Sequence, residues 1–280
     1  MVFVYRLLIN LILIFSPIIL ILRLIRKKED PKRFKEKILV SHFNIKNKGK
    51  SKLIWFHAAS IGEYKSIIPI IRQLNIKNNN LKFLITTTTL SSGNLATKEI
   101  ENFSNVEHRY FPFDVPFLIK KFLHLWKPDN IFLVDSEIWP NLILNAKKLN
   151  IPLALINARL TPKSFDKWMI FPNEAKKIFR NFDLFICSNL RTKNYLEKLH
   201  AVPITPLVRT QQKCAAQRRL LPRSQSHSQW LQPCGCQPQR CPAAALLLAC
   251  MISAAAARLQ HRRPSTCSRA ARSCRAGTEI

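Results

Sequence analysis

At 280 residues the chain has room for one large domain or two smaller ones, and its 47% hydrophobic content is enough for a packed core, which excludes a wholly unfolded polycation. Lys and Arg number 45 against 16 Asp and Glu, and the resulting charge of +29 calls for a polyanionic neighbour, either nucleic acid or an anionic membrane. Charge alone does not separate the two.

Residues 1–28 come first. Positions 7–22 are nearly all apolar, interrupted by Asn10, Ser16 and Pro17, with Arg6 before them and Arg23, Arg26, Lys27 and Lys28 after. A spanning helix needs roughly 20 apolar residues, so this is a short candidate. No small-residue cleavage site follows, which argues against a removed leader. The heavier positive flank lies after the segment and places the body on the cytoplasmic side. A helix lying in the membrane interface is the alternative, and a buried core helix is a third reading; the segment is taken as a membrane anchor. Beyond it, 33–37 reads as helical and 44–52 as a loop.

From residue 53 the pattern is regular. Apolar runs of strand length recur at 53–57, 83–88, 106–111, 131–135, 153–157 and 184–188, and helix-period segments lie between them near 64–75, 92–102, 116–126, 138–149, 173–181 and 190–199. This alternation predicts βαβ units and a doubly wound parallel sheet of Rossmann type over 29–202. Neither G-x-G-x-x-G nor G-x-x-x-x-G-K-[ST] occurs, so a dinucleotide site or P-loop is unsupported.

Two acidic turns end strands on one edge of that sheet. His57-Ala58-Ala59-Ser60-Ile61-Gly62-Glu63 leaves the first strand; Ser60 and Glu63 have capping-box spacing, and Gly62 permits close approach of a ligand or of backbone. Glu63 reads equally as a base or as a plain helix cap. Asp135-Ser136-Glu137-Ile138-Trp139-Pro140-Asn141 leaves the fourth strand, and two carboxylates on neighbouring turns can divide acid–base and positioning roles. Singly, each is also a helix-dipole partner. Thr86 to Thr89 could meet a polar ligand or simply suit a strand. Arg159 is an anion clamp or an ordinary surface ion pair. Phe165, Trp168, Met169 and Phe171, among Lys163, Lys167, Lys176 and Lys177, suit a membrane interface or a core rim.

Composition switches at about Val202. Before it the cations are mostly Lys; after it stand eleven arginines and Lys213 against the single acid Glu279, with seven of the 8 cysteines and no Phe, Tyr, Asn or Asp. Cys234, Cys236 and Cys241 lack the paired C-x2-C spacing of a structural zinc site. An Arg-rich nucleic-acid tail is a second reading. The favoured one is an aberrant, disordered segment at 203–280 whose composition resembles translation in a shifted frame or a join of unrelated coding sequences.

Taken in order, the stretch His57 to Glu63, Thr86 to Thr89, His108-Arg109-Tyr110-Phe111-Pro112-Phe113-Asp114, Glu137-Ile138-Trp139-Pro140-Asn141 and Asn157-Ala158-Arg159-Leu160 resemble the N-terminal half of the 3-deoxy-D-manno-octulosonic acid (Kdo) transferases of lipopolysaccharide synthesis. The apolar N-terminus followed by Arg33-Phe34-Lys35-Glu36 also matches, so the resemblance covers residues 1–201. It implies one half of a GT-B glycosyltransferase at the cytoplasmic face of a bacterial inner membrane. The partners it implies are CMP-Kdo as donor, a lipid A precursor (lipid IVA) as acceptor and the anionic lipids of that membrane, with no nucleic acid, no cofactor and no metal. By the same resemblance Glu63 is the general base and Glu137 a second essential carboxylate, while Ser60, Gly62, His57, Arg159 and Asn141 bind substrate. The family's donor-site motifs are not found in 203–280, so the CMP-Kdo pocket is expected to be missing and the chain to be inactive alone. The rival expectations are a non-catalytic membrane-bound module that binds the lipid A precursor, and a basic nucleic-acid-binding protein; the apolar N-terminus and ordered βα pattern disfavour the latter.

Overall fold

A computed structural model describes residues 2–40, 51–199 and 204–206. Its centre is a seven-stranded, wholly parallel sheet in the order β3-β2-β1-β4-β5-β6-β7. The strands are β1 (Lys52–His57), β2 (Leu81–Thr87), β3 (Val106–Tyr110), β4 (Asn130–Val134), β5 (Leu153–Ala158), β6 (Leu184–Cys187) and β7 (Ile204–Pro206). Chain order reverses between β1 and β4, which pair directly with His57 beside Leu133. Crevices at such reversals, beyond the carboxyl ends of the strands, are where open α/β sheets bind ligands.

Side chains alternate across the sheet and fill two cores. Ile54 and Phe56 of β1 face α2 (Ile61–Lys77) and α3 (Leu90–Ile100), packing with Tyr64, Ile67, Ile71 and Ala96. Trp55 faces the other way, toward α4 (Pro116–Trp126), α5 (Pro140–Lys148), α7 (Pro172–Phe179) and α8 (Leu190–Lys198), whose Phe122, Ile143, Phe179 and Leu196 share its core. Both faces are therefore covered, which is why the strands read as unbroken apolar runs. Four helices begin on a proline, α4, α5, α7 and the short α6 (Pro162–Met169), each in the first turn where the missing N–H is not needed.

The six strands expected from apolar runs are present with ends shifted by at most two residues, and the doubly wound parallel class is the one observed. Two elements go beyond the expectation. α6 is eight residues long and fully buries none of them, its core side being only Phe165 and Trp168, partly buried, so its period is too short to read. β7 pairs with β6 just past the composition change at Val202. The helix expected at 33–37 is a single 3-10 turn, Phe34–Lys37. The remainder of 203–280, including the three cysteines weighed as zinc ligands, lies outside the described residues.

The N-terminal helix α1 (Val2–Ile25) is long and apolar enough to cross a membrane, with a mean hydropathy of 2.6 over its most apolar stretch. It is not free of the domain. Ser16 and Leu20 are buried, Ile9 and Leu13 pack on the Trp55-side core, Tyr5 Oη donates to Asp114 Oδ2 at 2.8 Å, and Arg6 Nε donates to Asn141 Oδ1 at 3.0 Å. Positions 5, 9, 13, 16 and 20 form one helical stripe. The opposite face, including Leu8, Leu11, Ile14, Phe15, Ile18 and Leu22, is exposed.

Asp114 is the latch for this arrangement. Its carboxylate accepts the backbone N–H groups of Asn141 and Leu142 at 2.9 and 2.8 Å, and so supplies the N-terminal cap that Trp139 cannot give to α5. Burial pushes its pKa from the ordinary 3.8 up to about 7, against the opposing pull of those N–H donors, the Tyr5 hydroxyl and the Arg6 charge. A carboxyl whose pKa is raised in the fold binds more protons folded than unfolded, so its contribution is fully present below pH 3.8 and is lost as pH rises to about 7. His108 works the opposite way: burial, then Arg33 and Arg109, lower it from 6.5 to about 3, so its contribution is lost as pH falls through that window.

The two effects are separable by comparison. The melting temperature of wild type should fall more steeply between pH 5 and pH 8 than that of Asp114→Asn, and equal slopes in thermal scans would remove Asp114 from the account. Gly93 gives a second test, since a Cβ there would run into the Tyr110 ring and hydroxyl. Gly93→Ala should cost about 1–3 kcal/mol in denaturant unfolding.

Candidate active site

β1 ends in small residues because the chain must turn sharply into α2. Ser60, extended at φ −109°, caps that helix, its hydroxyl accepting the Glu63 N–H at 3.3 Å. Glu63 reaches back: Oε1 accepts the Ser60 hydroxyl and Oε2 the Ala59 N–H, each at 2.8 Å. The capping-box expectation is met, and Glu63 meets it with both oxygens. Burial nevertheless raises its pKa, against the Ser60 and Ala59 bonds that lower it, and the charge of Glu137 adds to the rise. A base held above its ordinary value accepts a proton more readily. Gly62 is exposed, and a Cβ there would find only Ser60 Oγ, at 4.0 Å, so the fold itself does not require glycine at this point.

The turn after β4 faces it across the strand-order reversal. Asp135 takes a left-handed conformation, φ 61°, and turns the chain toward α5. Glu137 follows, half-buried, with Oε2 accepting Trp139 Nε1–H at 2.8 Å and lying 3.4 Å from His57 Nε2. Asp135 is also raised by burial, with Arg159 opposing and Glu137 reinforcing. Three carboxylates thus share one field at the carboxyl edge of β1 and β4. The predicted pair, Glu63 and Glu137, is brought together.

Other candidates sort by exposure. Arg159 leaves β5 with its side chain 59% exposed and 3.9 Å from Asp135 Oδ1, loosely paired and open to an anion. His57 is fully buried beneath Glu137, its ring 4.2 Å from that of Phe111. Asn141 is fully buried as well. Its amide donates to the Asp114 carbonyl and accepts from Arg6, so in this conformation it braces α5 and α1 instead of facing a ligand. The threonine run is spent inside the fold: Thr86 contacts Trp55 and His57, Thr87 contacts His108, Thr88 donates to the Ala59 carbonyl, and Thr89 caps α3. The aromatic patch divides. Phe165 stacks on Tyr195 and Trp168 meets Phe179 edge-on, whereas Met169, Ile170 and Phe171 are exposed.

Asp114, which joins α1, α5 and the turn before α4, is the bracing position that the residue pattern did not single out. The signal for Asp114 was its place at the end of a strand-to-helix motif, but its partners on α1 and α5 are not adjacent in sequence. Among the described residues no three His, Cys, Asp or Glu side chains gather as metal ligands.

A family model described as 3-Deoxy-D-manno-octulosonic-acid transferase (kdotransferase) matches residues 32–214. A protein of Arabidopsis thaliana named "Probable 3-deoxy-D-manno-octulosonic acid transferase, mitochondrial" is 45% identical over 116 residues, 41% of this chain and 26% of that one. The 3-deoxy-D-manno-octulosonic acid transferase of Rickettsia bellii is 32% identical over 174 residues, 62% of this chain and 40% of its own length. The chain therefore spans less than half the length of these relatives. Among solved structures, the UDP-N-acetylglucosamine 2-epimerase of Rickettsia bellii aligns over 67% of this chain and 52% of that one at 17% identity, with a TM-score of 0.38, too distant to inform the site. The family match contains both acidic turns, the threonine run, Asp114 and Arg159, and it covers well over half of the residues: the chain belongs to the 3-deoxy-D-manno-octulosonic-acid transferase family.

Proposed function

We infer that this chain is the acceptor-binding half of a Kdo transferase. The reaction moves Kdo from CMP-Kdo to a lipid A precursor of the lipid IVA type in lipopolysaccharide synthesis. The observation that carries the reading is the pair Glu63 and Glu137 on adjacent turns at the strand-order reversal, with Glu63 inside the field of Glu137. In the reaction an acceptor hydroxyl displaces the Ser60 and Ala59 donors from Glu63, gives its proton to that carboxylate and attacks the anomeric carbon of Kdo. The bond to the CMP phosphate breaks on the opposite face, so the sugar inverts and CMP leaves. Glu137, fixed by Trp139 and His57, orients the acceptor hydroxyls. Exposed Arg159 meets an acceptor phosphate, while Ser60 and Gly62 line the approach. A second Rossmann-like unit of GT-B type supplies the CMP-Kdo site.

α1 holds the domain against the bilayer. One stripe is docked on the domain, so the exposed face is the part left for the apolar phase, with Arg23, Arg26, Lys27 and Lys28 at anionic headgroups. On this reading the catalytic edge works at the cytoplasmic face of the inner membrane, where its lipid acceptor lies.

The test measures acceptor binding and Kdo transfer in detergent, with a donor-domain fragment supplied in trans. Glu63→Ala should lower transfer by about 10²–10⁴-fold, the usual share of a general base, and change acceptor binding only several-fold. Undiminished transfer by Glu63→Ala would overturn the assignment of the base. The engagement of both Glu63 oxygens in the helix cap favours one other reading, a binding module without chemistry. Acceptor binding with no transfer, even beside an active donor fragment, would establish it.

A further inference from the structure

Under the Glu137 turn runs a buried polar chain. Trp55 and His57 lie on one face of β1, and Thr86 of β2 stands beside His57 in the register. Trp55, His57 and Thr86 are all fully buried. Trp55 Nε1–H donates to Thr86 Oγ1 at 2.8 Å, and the same oxygen lies 2.9 Å from His57 Nδ1. An indole N–H only donates, so Thr86 accepts there. The hydroxyl's own proton then has one acceptor among its partners, His57 Nδ1, and the ring proton must sit on Nε2. That nitrogen makes no full hydrogen bond within the described residues and lies 3.4 Å from Glu137 Oε2. The opposite neutral tautomer would bury the threonine proton without an acceptor and turn a nitrogen lone pair on a carboxylate oxygen, two unfavourable contacts in a dry site.

We propose that Thr86 is a positioning residue that locks His57 in its Nε2–H tautomer, so that His57 and Trp139 present two N–H groups to Glu137 Oε2 and fix that carboxylate. Such a second layer sets a site's geometry without touching substrate. Glu137 Oε1, which has no hydrogen bond to the described residues, is left for the acceptor. This last consequence rests on the role given to Glu137 above; the tautomer does not.

The test uses 15N-histidine NMR of the full chain in detergent, with His57 assigned by the signal lost in His57→Gln. Wild type should show His57 protonated at Nε2 and bare at Nδ1. Thr86→Ser, which keeps the hydroxyl, should preserve that spectrum, and Thr86→Val should shift it toward the other tautomer. An Nδ1–H signal in wild type, or an unchanged spectrum in Thr86→Val, would overturn the proposal. If the valine variant does not fold, wild type still decides the tautomer and the serine variant must match it. In transfer assays beside a donor fragment, Thr86→Val should lower kcat more than it alters KM, with recovery in Thr86→Ser. Wild type with the Nε2–H tautomer but no transfer would sink the reading of function and leave the tautomer standing.

Discussion

The direct pairing of β1 with β4 is the constraint on which the rest depends. Strands distant in sequence lie side by side there, with His57 level with Leu133, so the turns after both strands open on the same edge. Glu63 and Glu137 come from separate segments, yet the charge of Glu137 adds to the electrostatic cost of charging Glu63. A one-residue slip of β1 would turn His57 to the opposite face of the sheet and away from Glu137. The two apolar cores prevent that slip, because Trp55 and Phe56 are fully buried on opposite faces and neither side tolerates the exchange.

The same carboxylate answers two demands. As a capping residue Glu63 satisfies N–H and O–H groups at the start of α2, which favours its charged form; burial and Glu137 favour the protonated form, and the net shift is upward. Burial therefore wins. The same bonds hold the Glu63 carboxylate in one conformation at the edge where Glu137 also lies. Around it, a chain of net charge +29 concentrates Glu63, Asp135 and Glu137 at one edge.

Much of this was legible in residue order. Parallel strands buried on both faces leave continuous apolar runs, and their turns carry Ser, Gly, Asp and Glu, so the alternation and both acidic turns could be read directly. What was hidden depends on long-range contacts. Asn141 was assigned to substrate by resemblance; that it also braces Arg6, 135 residues away, and Asp114, 27 residues away, could not be read from its neighbours in sequence. The docked stripe of α1 is invisible in a segment apolar on every side, since no polar face marks the free surface. α6 escaped because its core side is a single pair, Phe165 and Trp168, in eight residues, and β7 because a three-residue strand gives no period at all.

The central claim is that Glu63 and Glu137 form one electrostatic site, and a carboxylate titration tests it most directly. With 13C-labelled glutamate in the full chain, the Glu63 side-chain signal is followed against pH in wild type and in Glu137→Gln. The account predicts a lower Glu63 pKa once the Glu137 charge is gone, because a like charge nearby disfavours ionisation. An unchanged Glu63 titration would mean that the two carboxylates do not share a site.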